Sequence, residues 1–525
     1  MQRRAFIGSV LGAGAFALSG CDMSRTIAGG FTGIDVARGH ALRDGALRSS
    51  TPSAVRRTRV LIAGGGVSGL AAARALRARG VDDFVLLELE DTAGGNSRGG
   101  AVEGIACPLG AHYLPVPGDD AHEVQDLLEE LGLRRRVAGR WEYDERHLCH
   151  SPQERLFFQG EWHDGLLPVQ GVGAATLTQY RRFAQRVDEL QQATRFAIPS
   201  LRAPSTSASL ALDAMNFGQW LDAEGLGDAH LRWYLEYCCR DDYGAGVAQV
   251  SAWAGIHYFA SRHGFHAPGD DSADRDAVLT WPEGNGWLTQ RLAAPLGERL
   301  RTGQVVTRIA EMRDSVEVDV FDTATKALVR WQAERCIVAL PVFIAARVVE
   351  NAPELLRRAA SALQYAPWLV ANVHLDAPLA DRPGAAPSWD NVVYGSRGLG
   401  YVDARHQALD PTPRATVLTW YRPLGPSAFD GTDGRRQLLD QPWSAWRDAL
   451  LAELSVPHPD ITERATRIDI TRYGHAMAIP TPGLRAQLGN DGTIVAGRLA
   501  FAHADWSGYS IFEEAFTRGH LAGSL

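Results

Sequence analysis

Two apolar runs in the N-terminal part of the chain frame its first interpretable unit. The run Arg59–Ala63 leads directly into Leu70–Arg79, which is rich in Ala, Leu and Arg and is followed by Gly80 in the position where helices stop. The next run, Phe84–Glu88, is again apolar up to its last residue. This pattern predicts a buried strand, a helix and a second strand, which together form a βαβ unit.

Glycines occupy the turn between the first strand and the helix. Gly64, Gly66 and Gly69 have the spacing G-x-G-x-x-G, and Ser68 lies in the same turn. Such a turn leaves backbone N–H groups and the positive end of the helix dipole free to meet a pyrophosphate. Glu88 follows Gly69 by 19 residues, where an acid accepts a hydrogen bond from a ribose 2′-OH. The combination predicts a dinucleotide site that uses these five residues.

Composition excludes several other classes of site. The chain has 525 residues, 45% of them hydrophobic and 22% charged, so we expect two or three domains with sizeable cores. Its net charge of −8 gives no support to nucleic-acid binding. The partner that we expect is a small-molecule substrate. The six cysteines include no C-x-x-C pair and no Cys/His spacing suited to zinc, so no metal site is predicted.

The N-terminal residues predict an export signal. Arg3 and Arg4 precede a mildly apolar stretch that ends in Leu-Ser-Gly-Cys21, a pattern typical of a twin-arginine signal with a lipoprotein cleavage box over residues 1–21. Residues 22–57 are rich in Gly, Arg, Ser and Ala without apolar periodicity, which predicts a tether. We therefore expect the protein on the periplasmic side of the membrane, with a lipid on Cys21 as its only membrane contact.

The residues that follow Glu88 resemble the flavin-containing amine oxidase superfamily, which includes monoamine and polyamine oxidases, protoporphyrinogen oxidases and carotenoid desaturases. Glu88, Gly94 and Gly95 match the spacing between the ribose acid and a Gly-Gly-Arg turn at the FAD pyrophosphate, while Arg98 comes two residues later than the family's arginine. Leu109-Gly-Ala-His112-Tyr is similar to the segment beside the flavin ring. The resemblance implies FAD as the cofactor.

Two later segments extend the resemblance. Val305–Ile309, with the strands that follow it, is similar to the second FAD segment, in which the backbone of Val306 would meet the adenine. Near the C-terminus, the resemblance places Gly497 and Arg498 beside the ribityl chain, with Arg498 in place of the family's acid. Trp-Ser-Gly-Tyr509 is similar to the stretch that opens the final helix of the monoamine oxidases. The implied role of Tyr509 is a flavin contact and one wall of an aromatic cage around the amine.

The resemblance implies an α/β protein with a Rossmann-like FAD-binding domain built from discontinuous segments and a mixed α/β substrate domain. We assign residues 58–115, 281–345 and 484–525 to the FAD-binding domain. Residues 116–280 and 346–483, which match the family only in layout, are assigned to the substrate domain.

Departures from the family pattern bear on the reaction. Lys326, the only lysine, lies in the polar turn of a predicted hairpin, so it cannot hold a water near flavin N5 as the family's lysine does. The second cage wall falls on Ala476, and His475 replaces the cysteine that carries covalent flavin in monoamine oxidases, which leaves a histidyl link open. We expect His112, His475 and Tyr509 nearest the ring.

Three functions remain open at this point. The first is hydride transfer from an amine to flavin N5, the second is C–C desaturation of an apolar substrate, and the third is an FAD-binding protein that serves a partner without turnover. Because only one dinucleotide fingerprint is visible, we expect oxygen or a quinone-like molecule as the electron acceptor.

Overall fold

The computed structural model describes residues 26–47, 51–262, 264–269, 277–408, 412, 414–489 and 492–525. The helices are α1 (Val36–Arg43), α2 (Val67–Ala78), α3 (His122–Glu130), α4 (Ala174–Ala193), α5 (Ser207–Asp213), α6 (Phe217–Ala223), α7 (Ala229–Tyr243), α8 (Ala252–Ala260), α9 (Gly286–Ala293), α10 (Val342–Val348), α11 (Glu354–Ala362), α12 (Gly434–Asp440), α13 (Trp443–Leu454), α14 (Ile461–Arg464), α15 (Leu484–Leu488) and α16 (Phe512–Gly523). Short 3-10 turns occur at Ser200–Arg202, Ala294–Arg299 and Ala504–Ser507.

The strands are β1 (Ala28–Thr32), β2 (Ala54–Ala63), β3 (Phe84–Leu87), β4 (Gly99–Val102), β5 (Ile105–Pro108), β6 (Tyr113–Pro115), β7 (Arg134–Val137), β8 (Arg140–Tyr143), β9 (Glu154–Phe158), β10 (Glu161–Asp164), β11 (Val278–Thr280), β12 (Leu300–Arg301), β13 (Gln304–Glu311), β14 (Val316–Asp322), β15 (Ala327–Val338), β16 (Gln364–Leu375), β17 (Asp390–Val393), β18 (Tyr401–Asp403), β19 (Thr416–Pro423), β20 (Ala465–Ile479), β21 (Ile494–Ala496) and β22 (Leu499–Phe501). Most of them belong to two large sheets.

The first sheet has the strand order β12-β3-β2-β15-β14-β13, and β22 also pairs with β15. Strands β12, β3, β2, β15 and β22 run parallel, whereas β13, β14 and β15 form an antiparallel meander. Helices α2 and α16 cover one face, where Leu70 and Phe516 pack with Ile62 and Leu86 in one core cluster. A parallel sheet covered by helices explains why its central strands are apolar throughout.

The second sheet has the order β1-β20-β16-β19-β18-β17-β9-β10. Its long central strands β16, β19 and β20 are antiparallel, and helices α4 and α6 to α8 share a large aromatic core with it. The vicinal pair Cys238 and Cys239 is buried in this core, where burial raises the pKa of both thiols. These cysteines therefore act as small apolar side chains.

The chain crosses between the two sheets several times, which confirms the fold class and its discontinuous organisation. Strands of the first sheet come from residues 54–63, 84–87, 300–338 and 494–501, and strands of the second sheet come from residues 28–32, 154–164, 364–423 and 465–479. The only lysine, Lys326, is exposed in the turn between β14 and β15, as predicted.

The prediction of a tether over residues 22–57 is wrong for the residues described in that range. Strand β1 pairs in parallel with β20 at the edge of the second sheet, and Asp35 caps α1 by accepting from the backbone N–H of Arg38 (3.0 Å). These elements have little apolar periodicity, because β1 is a mostly exposed edge strand and α1 has one buried apolar residue, Leu42. The composition of the segment therefore does not predict them.

The predicted export signal over residues 1–21 lies outside the described residues. Across the described part of the chain, no helix combines the length and the apolar composition needed to cross a membrane.

Candidate functional site

A cleft of about 460 Å³ opens where the parallel strands of the first sheet end and face the second sheet. At one end its walls contain Gly64, which follows β2, Glu88, which follows β3, and Ala339, which follows β15. At the other end they contain Trp368 of β16 and Tyr421 of β19. Open α/β sheets bind ligands at the carboxyl ends of their strands, so this cleft is the candidate site.

The structure brings most of the predicted site residues into the walls of this one cleft. Those that line it are Gly64, Gly66, Ser68, Glu88, Gly94, Gly95, His112, Val306 and His475. Those that do not line it are Gly69, Arg98, Gly497, Arg498 and Tyr509.

The three glycines of the first turn have different structural roles. A Cβ on Gly64 would lie 2.3 Å from the carbonyl oxygen of Ala339, and Gly64 has a φ of +104° that side chains rarely adopt. A Cβ on Gly69 would lie 1.9 Å from the carbonyl oxygen of Gly64, so Gly69 permits close helix packing rather than ligand contact. A Cβ on Gly66 would meet only the Cα of Gly95 at 3.9 Å and would occupy the cleft.

The N-terminus of α2 faces the cleft and has no side-chain cap. Gly66 is the N-cap residue, and among the residues that the structure describes no side chain caps this end of the helix. The N–H groups of the first turn, together with the helix dipole, form a site for an anionic group. Ser68, in the same turn, donates its hydroxyl to the carbonyl oxygen of Ala515 (2.7 Å) and so fastens α2 to α16.

Glu88 is buried at the end of β3 and is held in place by the backbone. Its carboxylate accepts from the N–H of Gly65 (2.8 Å) and from that of Glu90 (2.9 Å). Burial raises the pKa of Glu88, and these two hydrogen bonds oppose that rise. A fixed carboxylate at this position suits the hydroxyl groups of a ribose.

The second glycine turn approaches the first, but the prediction that Arg98 contacts the cofactor is not supported. The N–H of Gly94 donates to the carbonyl oxygen of Gly65 (2.8 Å), which places the turn beside the N-terminus of α2. Arg98 donates to the carbonyl oxygen of Gly33 and lies 4.0 Å from the Glu90 carboxylate. Its side chain therefore anchors the N-terminal segment instead of reaching the cleft.

That segment, residues 26–47, closes one end of the cleft. Gly39 and Leu42 of α1 line it, and Leu42 is only 3% exposed. Arg38 donates to the carbonyl oxygen of Leu89 (3.0 Å). These contacts make the N-terminal segment part of the wall next to Glu88.

The prediction that Gly497 and Arg498 contact the ribityl chain is wrong. The strand that enters the first sheet is β22, which follows these residues, and not β21, which precedes them. In the described part of the chain, strand β21 pairs with β22 alone, and β22 joins the sheet by pairing in parallel with β15. Arg498 lies in the hairpin turn outside the cleft, where its N–H donates to Glu311 (2.6 Å) and its guanidinium to the carbonyl oxygen of Glu334 (3.2 Å). A Cβ on Gly497 would likewise meet Glu311.

The acid next to this strand end is Asp505, which the sequence analysis did not identify. Asp505 and His503 line the cleft just after β22. The Asp505 carboxylate accepts from the N–H of Val342 (2.8 Å) and the hydroxyl of Tyr365 (2.7 Å). Burial opposes its ionisation, but His503 and these hydrogen bonds outweigh burial and lower the pKa of Asp505. The side chain is therefore a fixed anion in the wall.

His112 belongs to an aromatic wall at the other end of the cleft. Its ring stacks on Tyr421 (4.4 Å between centroids, 25°) and lies 5.4 Å from Trp389. Burial lowers the pKa of His112 to about 3, so the ring is neutral at pH 7. His475 also lines the cleft, stacked on Phe343 (4.3 Å), and burial lowers its pKa to about 4. Both histidines are thus neutral, aromatic surfaces.

The prediction that Tyr509 forms a cage wall in the cleft is wrong. Tyr509 is 1% exposed and packs inside the core of the second sheet, 5.4 Å from His257 and 5.8 Å from Tyr243. The nearby Ala476 has no aromatic ring to offer, although it lines the cleft. Tyr421 and Trp368 supply the aromatic surface instead.

Charged residues that the sequence analysis missed lie beyond this aromatic wall. Asp241 and Asp242 lie in the last turn of α7, Arg262 follows α8, and Glu513 lies in the first turn of α16. All four line the cleft. The adjacent pair Asp241-Asp242 was visible in the sequence. Nothing in their spacing linked this pair to Glu513, which comes from the opposite end of the chain.

The cleft fits FAD. Its cradle at Gly66 is a space that a Cβ would fill, the uncapped N-terminus of α2 suits a pyrophosphate, and Glu88 is held for a ribose. The remaining length of the cleft, from Gly110 to Tyr421, is lined by aromatic side chains and backbone suited to a flat ring.

Comparison with known proteins agrees with this assignment. Residues 67–475 match the family described as flavin containing amine oxidoreductase. The chain is 25% identical over 321 residues to an L-amino acid dehydrogenase of Synechocystis sp., covering 56% of this chain and 58% of that protein. It is 23% identical over 294 residues to a probable flavin-containing monoamine oxidase A of Dictyostelium discoideum, covering 55% and 58%. The matched segments thus span less than two thirds of these relatives.

A solved structure shows the same fold. Wild-type putrescine oxidase bound to putrescine superimposes with a TM-score of 0.69 at 18% identity, over 90% of this chain and 99% of that one. Because the family pattern matches most of the chain and the cleft fits the cofactor, this protein belongs to the flavin-containing amine oxidoreductases, which are FAD-dependent oxidoreductases.

Proposed function

We propose that this protein oxidises amines by transfer of hydride from the carbon next to nitrogen to flavin N5. The observation that carries the proposal is the single cleft that joins the FAD cradle at Gly66 and Glu88 to a chamber lined by Tyr421, Asp241 and Glu513. Aromatic surface beside carboxylates is suited to an organic ammonium group.

The side chains around the chamber orient the substrate and exclude water. When bound, FAD supplies the two-electron oxidant. The stacked rings of His112 and Tyr421 hold the carbon skeleton, and Tyr421 is fixed because its hydroxyl donates to the carbonyl oxygen of Gly110 (3.0 Å). The substrate loses a hydride from carbon to that oxidant and a proton from nitrogen to water. The resulting imine is hydrolysed by water to a carbonyl compound and ammonia or an amine.

Desaturation of an apolar substrate is less compatible with this chamber. Asp241 and Glu513 line the cleft with carboxylates, and a carboxylate that is desolvated by an apolar ligand loses hydration without gaining a partner. The carboxylates therefore favour a cationic substrate over an apolar one.

An amine panel tests the proposal. The holoprotein is incubated aerobically with primary, secondary and diamine substrates while aldehyde and hydrogen peroxide are measured. Aldehyde formation that depends on the amine supports the proposal. Flavin that no amine reduces, but that a purified partner protein reduces, would favour the non-catalytic alternative.

The electron acceptor is proposed to be oxygen or a quinone-like molecule. The glycines at residues 171–173 lead into α4 and follow no strand of a βαβ unit, so they provide no second dinucleotide turn. Rapid anaerobic bleaching of the flavin by NADPH would contradict this acceptor.

Export and lipid attachment at Cys21 are also proposed, on the basis of the twin-arginine and cleavage-box pattern. Since β1 begins at Ala28, only residues 22–27 separate that cysteine from the folded domain. Six residues span at most about 20 Å, so the domain would lie against the membrane. Arg3→Lys with Arg4→Lys should retain holoprotein in the cytoplasm, and a wild-type cytoplasmic protein that keeps Met1 would contradict the proposal.

A further inference from the structure

The chamber is lined by more negatively charged side chains than positively charged ones. Among the residues that the structure describes, it is lined by three carboxylates, those of Asp241, Asp242 and Glu513, and by one guanidinium, that of Arg262. The positive charge of Arg262 can balance only one of them. Which carboxylate it balances decides what charge the chamber offers to a substrate.

Arg262 forms an ion pair with Asp242. The guanidinium donates to the Asp242 carboxylate (3.1 Å) and to the carbonyl oxygen of Tyr258 (2.7 Å), and it lies over the Tyr258 ring at 4.8 Å. Although burial opposes its charge, Asp242 holds the pKa of Arg262 well above the usual value. A substrate carboxylate would therefore have to compete with Asp242 for this guanidinium.

Asp241 and Glu513 have no such partner. Within the described part of the chain, neither carboxylate lies at ion-pair distance from an arginine, since Arg262 pairs with Asp242. The charge of Arg262 still reaches both groups and partly opposes the rise in their pKa. Glu513 is 3% exposed, yet it faces the cleft, and its carboxylate is bonded to its own backbone amide. A buried carboxylate without a counter-ion is costly, so a ligand that brings a cation stabilises this arrangement.

We propose that Asp241 and Glu513 bind the ammonium group of the substrate. Because Arg262 is paired with Asp242, it does not bind a carboxylate that the substrate carries. The substrate class is then amines without a carboxylate beside the amino group, and α-amino acids are excluded. This inference rests on the proposed amine oxidation and specifies its substrate.

The test compares matched pairs that differ by one carboxylate: phenethylamine with L-phenylalanine, isoamylamine with L-leucine, and putrescine with L-ornithine. Anaerobic stopped-flow measurement of flavin reduction gives a rate and an apparent Kd for each. The wild-type holoprotein should favour the amine by at least roughly tenfold in the ratio of rate to Kd.

Three variants locate the cause of this preference. Asp241→Asn should raise the apparent Kd of the amine at least roughly tenfold, whereas Asp164→Asn, which neutralises an exposed carboxylate on β10, should not. Asp242→Asn removes the carboxylate that pairs with Arg262. In this variant the ratio of rate to Kd should favour the amine over the matching amino acid at least roughly tenfold less than in the wild type. Thermal unfolding of each holoprotein controls for folding, and Asp241→Asn alone decides the question if Asp242→Asn does not fold.

Different outcomes overturn different claims. Equal reduction by amine and amino acid, or an Asp241→Asn variant with the wild-type Kd for the amine, overturns this inference and leaves amine oxidation standing. Flavin that none of the amines reduces overturns the proposed function, and this inference with it.

Discussion

The carbonyl oxygen of Gly64 lies 1.9 Å from the position that a Cβ on Gly69 would take, so the strand and the helix of the first βαβ unit touch through bare backbone. Gly66 lies between these two glycines in the sequence. Apart from its chain neighbours and its own helix, the nearest described atom to a Cβ on Gly66 would be the Cα of Gly95, at 3.9 Å. One motif thus contains two packing glycines and one glycine that leaves room for a ligand.

These different roles predict that a substitution at Gly66 affects FAD binding, whereas one at Gly69 affects stability. Gly66→Val should fold normally but weaken FAD binding by about 1 to 3 kcal/mol or more, because its side chain enters the cleft. Gly69→Ala should instead lower the free energy of unfolding by a similar amount, because its Cβ has no space. Isothermal titration with FAD and denaturant unfolding of the apoprotein separate the two. A Gly66→Val protein that binds FAD like the wild type would contradict the assignment of the cradle.

The N-terminal segment is expected to retain the cofactor. Leu42→Ala should speed FAD dissociation and cost about 2 to 5 kcal/mol of stability, as for other buried leucines, because it opens a wall of the cleft. Leu439→Ala, at a position that is 49% exposed, serves as the control. Equal FAD dissociation rates for both variants and the wild type would show that residues 26–47 have no part in the site.

The pH dependence of stability should reveal the two unpaired carboxylates. Burial raises the pKa of Asp241 and of Glu513 to about 7; Asp242 and Glu154 add to the rise at Asp241, and Arg262 and Arg240 oppose it. Around Glu513, the charge of Glu514 adds to the rise as that of Asp242 does, while Arg262 again opposes it.

A carboxyl group whose pKa is raised by folding stabilises the protein below its unfolded pKa, and this contribution is lost as pH rises through the folded value. The free energy of unfolding of the substrate-free holoprotein should therefore fall between pH 5 and pH 8, and Asp241→Asn should reduce that fall. Denaturant titrations across this range measure it. A stability that is flat with pH, or equally steep in Asp241→Asn, would refute the assignment.

Ionisation of the same groups predicts how substrate binding changes with pH. Amine binding should tighten as pH rises through about 7, because the carboxylates that hold the ammonium group become charged. The apparent Kd of phenethylamine from anaerobic flavin reduction measures this effect. Tighter binding at pH 6 than at pH 8 would contradict the role of Asp241 and Glu513.

The flavin should be released on denaturation. None of the described cysteines lines the cleft, and His475 lies flat on Phe343. Acid precipitation followed by absorbance of the supernatant checks this prediction. Flavin that stays with the pellet would point to a histidyl link at His475.

The parts of the site that could be predicted from sequence are those set by local geometry. Gly64, Gly66 and Glu88 lie within one βαβ unit, where the turn and the strand spacing fix their positions relative to one another. Gly94 and Gly95 follow directly.

The other parts of the site depend on strand pairing and side-chain packing that the hydrophobic pattern of the sequence does not specify. Both β21 and β22 are short apolar runs, and the choice of β22 as the strand that enters the sheet moves the wall from Arg498 to Asp505. Tyr509 follows the expected turn but packs toward His257, in the aromatic core that the second sheet shares with its helices.

Residues 26–47 show the same limit. Backbone pairing with β20 and the contacts of Arg98 with Gly33 hold a segment that has little apolar pattern of its own. Composition alone favoured a tether, since the energy of docking comes from partners far away in the sequence.

Anaerobic reduction of the purified holoprotein by phenethylamine, compared with the same amine deuterated on the carbon next to nitrogen, tests amine oxidation most directly. The account predicts bleaching of the flavin absorbance with release of phenylacetaldehyde, and a slower rate for the deuterated amine because the C–H bond breaks during flavin reduction. A flavin that neither this amine nor isoamylamine nor putrescine reduces, in protein that binds FAD fully, would contradict it.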